Sequence, residues 1–352
     1  MRRNVDGTME KRLVKVFQML AVSLFFLLFY YGLGMTGVHK ELSNEMIFFQ
    51  SDSIIENILG MGIFVFAVER VLHFGKRFTC GQSHIDKRAL VVSAMIVLFC
   101  CYWIHASNTA PQADQKAICD YAAAFNHGDY SGLQKGGYVG VYQQQLGLIT
   151  WMRIILLLGG DYKTFQYLSA IMAGCMIFFG YQVVKILSEN IRVQCCYLML
   201  AVCCVPMYVY TAFVYGEIIS SALLMLAAWI LLICLKRFSW RMAIAFGIIV
   251  GLSVQFRKNA LIMAAGFLIV IVGKTFAKDR IKKMHMLALA CILILGMVLT
   301  NTCGRHRKER YGGYAVYGQE NAGSSGCVDR RNRNRWKQDC CDEGECIAAY
   351  FC

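Results

Sequence analysis

The chain has 352 residues, 57% of them apolar and only 16% charged, with a mean hydropathy of +0.48; soluble proteins carry roughly 25% charged residues. This composition argues against a soluble enzyme or a nucleic-acid-binding domain, and the formal charge of +14 sits mostly in loops between apolar runs rather than on a binding face. Two prolines, and long stretches of Leu, Ile, Ala, Met and Phe without strict alternation, argue against a β-barrel.

The expectation is an all-α integral membrane protein. In chain order, apolar blocks place spans at 14–35, 54–73, 89–106, 164–187, 195–214, 217–235, 242–255, 259–273 and 284–302. A tenth run, Leu146 to Gly160, is only about fifteen residues long and carries Arg153, so it reads as an interfacial or re-entrant segment beside a possible tenth crossing. Charge decides between the counts. With a cytoplasmic N-terminus and nine spans, the inner loops hold nineteen Lys and Arg and the outer loops seven; a tenth crossing would turn Lys274, Lys278, Arg280, Lys282 and Lys283 outward.

The predicted architecture is therefore a polytopic helical bundle of nine to ten transmembrane helices with one long outer loop bearing juxtamembrane helices. Its parts are spans 1–3 within 1–106, an extracytoplasmic loop over 107–163, spans 4–9 within 164–302, and a polar tail over 303–352. That tail holds six of the seventeen cysteines and has no apolar periodicity, so it reads either as a disulfide-bearing outer segment or as a poorly ordered end. The other eleven cysteines lie mostly within apolar runs, where Cys acts as a small hydrophobe, and no C-x-x-C spacing occurs.

The outer loop opens directly after the third span, which holds Asp114 close to the membrane surface. A carboxylate there can deprotonate an acceptor hydroxyl or bind a divalent cation that neutralises phosphate; as a structural residue it reads as the N-cap of a helix beginning at Gln115. Further on, Asp129 lies in Gly128-Asp129-Tyr130-Ser131, and Tyr138, Tyr142 and Gln145 belong to a run rich in Gly, Tyr and Gln. Such surfaces cover the apolar faces of sugars and bond their hydroxyls, and tyrosines equally populate membrane interfaces. Two tight outer turns carry Tyr215-Gly216-Glu217 and Arg257-Lys258-Asn259. Outer cations such as Arg257 and Lys258 suit a lipid-linked phosphate or snorkelling to headgroups. Glu56, Glu69 and Arg70 are the ionisable residues of the second span, and no ladder of acids runs through the apolar segments, which argues against a proton- or sodium-coupled transporter.

The block Pro111-x-x-Asp114-Gln115, Gly128-Asp129-Tyr130-Ser131, Gly137-Tyr138-x-x-x-Tyr142-x-x-Gln145-Leu146-Gly147-Leu148, Tyr215-Gly216-Glu217 and Arg257-Lys258-Asn259-Ala260-Leu261-Ile262 resembles bacterial membrane glycosyltransferases of the GT-C superfamily. Within it the chain is most similar to protein-mannosyltransferase-like and dolichyl-phosphate-mannose-type proteins, over about residues 89–302. The resemblance implies a cell-membrane enzyme that moves a sugar from a polyprenyl-phosphate donor to a glycan or protein acceptor on the outer face, with no nucleic acid involved. Asp114 matches the family's acid near the start of the first large outer loop, and Arg257 matches a basic position near the donor phosphate. Glu217, Asp129, Lys258, Tyr138, Tyr142 and Gln145 complete the expected substrate site. The rival reading is a non-catalytic protein that binds or translocates lipid-linked glycans, such as a flippase or polymerase subunit.

Overall fold

The computed structural model describes residues 3–39, 47–75, 82–134, 136–275 and 284–298. The tail 303–352 and the loop 276–283 lie outside the described residues. Helix dominates: α1 (Arg3–Gly34), α2 (Ile54–Gly75), α3 (Gln82–Ser107), α4 (Ala113–Asn126), α5 (Tyr138–Val141), α6 (Leu146–Leu157), α7 (Tyr162–Leu187), α8 (Ile191–Cys203), α9 (Val205–Val209), α10 (Glu217–Lys236), α11 (Trp240–Phe256), α12 (Ala260–Thr275) and α13 (Met284–Val298). A two-stranded antiparallel hairpin, β1 (Met35–His39) and β2 (Ile47–Ser51), joins α1 to α2 and departs from the purely helical expectation. Val38, Ile47, Phe48 and Phe49 are strand-favouring residues, and Val38 pairs directly with Phe48.

Among the described residues three helices, α3, α7 and α10, are long and apolar enough to cross a membrane; α8 and α9 make a fourth candidate if the pair, bent by 54°, counts as one span. The bend has a local cause. Pro206 stands in the first turn of α9 and cannot continue the hydrogen-bond ladder of α8, and the Tyr208 hydroxyl donates to the Ala201 carbonyl across the break. Helices α11, α12 and α13 are apolar but shorter.

Side chains of α3, α7, α10 and α11 pack in sequence along one row. Ala89, Ala170 and Ala173 are fully buried where α3 meets α7, and such small residues let backbones approach closely. Helices α12 and α13 join α10 and α11 around Phe246, Phe267, Ile271, Leu289 and Leu293. At the margin, Asn57 of α2 donates to the Leu33 carbonyl of α1 at 3.0 Å, and large apolar side chains such as Phe25, Phe26, Ile63 and Phe66 point outward.

Between α3 and α7 the chain builds a cap. Its core joins Ile118, Ala122 and Phe125 of α4 to Leu148, Ile149 and Met152 of α6, and seats both on Phe165 of α7, Val214, Ile219 of α10 and Phe256 of α11. At 12 residues α6 is about 18 Å long, well short of a ~30 Å hydrocarbon layer. Its end is fixed in sequence. Gly159 takes a left-handed φ of 80°, and Asp161 opens α7 with a capping box, accepting from the Thr164 N–H at 2.9 Å while its own N–H donates to Thr164 Oγ1 at 3.2 Å.

Candidate functional site

The cap side of the bundle gathers most of the residues singled out from sequence. Asp114 lies in the first turn of α4, half-buried. The helix begins two residues earlier than expected, so Gln112 rather than Asp114 holds the N-cap position, and it does so without a side-chain hydrogen bond. Asp114 is thus a first-turn acid facing the positive end of the helix dipole, not a cap. The link into α4 is unusual: Asn108 and Ala113 both adopt left-handed φ values, 43° and 45°, which side chains bearing a β-carbon rarely take. It is held from α7, where Lys163 Nζ donates to Asn108 Oδ1 at 2.8 Å and Gln166 Nε2 donates to the Thr109 carbonyl at 3.1 Å.

Two amides join this entrance to the turn before α10. Gln166, 2% exposed, also donates to the Ala212 carbonyl, and Gln115, 6% exposed, accepts the Val214 N–H at 2.8 Å. Two residues beyond Val214, a β-carbon on Gly216 would stand 2.2 Å from the Phe256 carbonyl oxygen, so only glycine lets the turn sit against the end of α11. The contact brings Glu217 to Arg257: the guanidinium donates to Glu217 Oε1 at 2.7 Å, with the two side chains 29% and 33% exposed. Glu217 Oε2 is buried and has no hydrogen-bond partner.

Helix α6 closes over the same corner. A β-carbon on Gly147 would meet the Gln255 carbonyl oxygen at 2.1 Å, and the Trp151 ring stacks on Phe256 at 5.1 Å and 14°. The Trp151 indole N–H is likewise buried without a hydrogen-bond partner. Lys258 is exposed in the turn between α11 and α12.

The remaining candidates separate into two groups. Tyr138 of α5 meets Tyr142, the residue that follows this helix, at 5.0 Å, and stacks on Tyr121 of α4 at 5.5 Å and 7°. Tyr121 follows Asp114 by two helical turns on the same stripe of α4, so the aromatic group continues the face that Asp114 begins. Tyr142 is exposed and Tyr138 half-buried, whereas Gln145 is 7% exposed and belongs to the packed interior of the cap. Asp129 lies past the other end of α4, roughly 18 Å of helix from Asp114. Its carboxylate accepts the Ser131 N–H at 2.9 Å and shapes a turn. Asp120, on α4 between them, has its carboxyl raised above the ordinary value by partial burial, with Lys116 one turn back pulling the other way.

Sequence reasoning passed over four residues that matter here. Gln115 and Gln166 interrupt otherwise apolar helix faces, and that interruption is the signal that marks them; Trp151 carried none. At the opposite end of the bundle α3 starts seven residues earlier than the predicted span and brings in Asp86, which correction adds an ionisable pair to the helices. Lys185 Nζ meets both Asp86 carboxylate oxygens at 2.8 Å, Tyr181 donates to Asp86 at 2.6 Å, and Gln82 bridges Asp86 to Gln194. These groups satisfy one another and bind α3, α7 and α8 together.

Among the described residues no three His, Cys, Asp or Glu side chains gather closely enough to hold a metal ion. Comparison with protein families, with curated proteins and with solved structures finds no match.

Proposed function

We propose that the chain is a nine-span protein of the cell membrane, with its N-terminus cytoplasmic and residues 107–163 outside, and that it transfers a sugar from a polyprenyl-phosphate donor to an acceptor on the outer face. The observation that carries the reading is the Arg257–Glu217 pair at the capped ends of apolar helices, tied through Gln115 and Val214 to the helix that presents Asp114. A cation at the boundary of an apolar bundle suits a phosphate whose tail enters the bundle.

In the reaction, Asp114 takes the proton of the acceptor hydroxyl as its oxygen bonds to the anomeric carbon. The bond from that carbon to the phosphate oxygen breaks, and its electron pair leaves with polyprenyl phosphate. Arg257 and Lys258 stabilise the charge that develops on the leaving phosphate. Tyr142 and Tyr138 offer ring faces to the sugar.

The test uses purified protein in phospholipid nanodiscs with a panel of labelled polyprenyl-phosphate sugars and candidate glycan and protein acceptors. The expected result is acceptor-dependent release of polyprenyl phosphate. Donor binding without release for every member of the panel would replace the enzyme by a lipid-linked glycan carrier.

A further inference from the structure

We propose that Glu217 is a displaceable counter-ion: a lipid phosphate ester takes its place on Arg257, and Glu217 sets how well an anion must bind to do so. The inference rests on the phosphate role proposed above for Arg257. Three observations carry it.

The first is the bonding of the pair. Glu217 meets Arg257 through Oε1 at 2.7 Å, while Oε2 is buried with no hydrogen-bond partner. A carboxylate oxygen out of water without a donor is unfavourable, so the resting arrangement holds Glu217 below its full bonding capacity. A phosphate ester offers more oxygens to the same guanidinium, whose planar fork matches phosphate through two parallel bonds.

The second is access. With 33% of the Arg257 side chain and 29% of the Glu217 side chain exposed, an anion reaches the guanidinium from the rim and the released carboxylate regains water. The third is the backbone. Gly216 sits against the Phe256 carbonyl and the Val214 N–H is held by Gln115, so both anchors stay in place and the exchange needs only rotation of the Glu217 side chain.

The consequence is selectivity. Glu217 is tethered beside Arg257 and competes at high effective concentration, so inorganic phosphate displaces it poorly. A lipid phosphate draws further binding from the apolar helices and wins.

Equilibrium binding of farnesyl phosphate, farnesol and inorganic phosphate to the full chain in phospholipid-free detergent tests this. The parent is expected to bind farnesyl phosphate more tightly than farnesol, and R257Q to lose that difference. E217Q is expected to bind farnesyl phosphate about fivefold more tightly than the parent, the factor that a partly exposed ion pair is worth. Inorganic phosphate alone should likewise bind E217Q about fivefold more tightly than the parent. If E217Q fails to fold, E217D, which keeps the charge but loosens the contact, should tighten binding by about twofold. Equal or weaker binding by these variants would overturn the exchange and make Glu217 a group that orients Arg257, leaving the phosphate role standing. A parent that binds farnesyl phosphate no better than farnesol would overturn both.

Discussion

Gln115→Leu tests whether one buried amide holds the candidate site together. The substitution preserves volume and removes the acceptor of the Val214 N–H, which lies 2.8 Å from Gln115 Oε1 with Gln115 6% and Val214 0% exposed. A buried N–H left without a partner costs about 1–3 kcal/mol, and little packing energy is lost with it. The cost falls on the turn before Glu217, so its opening should become about five- to hundredfold more frequent while the rest of the bundle is unaffected. Hydrogen exchange of purified protein in detergent, read on peptides that cover residues 213–217, reports this directly. Exchange there should accelerate by that factor, and peptides from the α10–α13 core around Phe246 should not change. Sugar transfer should fall as well, although Gln115 touches no reacting atom, because Asp114 and Glu217 lose their common anchor. Unchanged exchange at residues 213–217 in a folded Q115L protein would refute the argument, and the turn would then owe its position to Gly216 and Gln166.

Three further outcomes are expected. Asp114→Asn should cost no more than about 1 kcal/mol of stability, the worth of a first-turn charge, but on the order of 100-fold in sugar transfer, and near-parental transfer by a folded variant would remove Asp114 from the chemistry. Gly147→Ala should destabilise the protein by about 1–3 kcal/mol and alter Trp151 fluorescence, because the added carbon meets main chain at Gln255 that cannot move aside; parental thermal stability would contradict so close a crossing. In intact cells an impermeant thiol reagent should leave Thr275→Cys unlabelled on a cysteine-free background, and labelling would reverse the sides assigned to every loop after residue 160.

The sequence already contained the helical body, because runs of apolar residues are additive and local. It also contained the shortness of α6, since Leu146 to Gly160 is too brief to span and ends in Gly159-Gly160-Asp161. Glu217 and Arg257 stood out one by one as charges in tight turns, but their pairing depends on Gly216 meeting Phe256, a contact between segments that no local pattern encodes. The amides were harder still. Gln115 finds its partner 99 residues away, and the only local trace is an amide on the stripe that continues through Ile118, Ala122 and Phe125. Asp86 was missed for a different reason: with Lys87, Arg88 and His84 around it the stretch reads as a charged loop, and only the partner Lys185 on α7 makes it helical packing.

The cap's separation from its seat along the chain imposes an order of events during synthesis. Residues 107–163 emerge before Val214 and Phe256, the groups on which α4 and α6 come to rest. At about 5–20 residues per second, the 99 residues between Gln115 and Val214 take roughly 5–20 s to make. Throughout that interval Ile118, Ile149 and Met152 are covered by the rest of the cap and by α7, without Val214, Ile219 or Phe256. A nascent chain halted before α10 would therefore leave this apolar surface uncovered, where a folding factor or a protease would meet it before the bundle could.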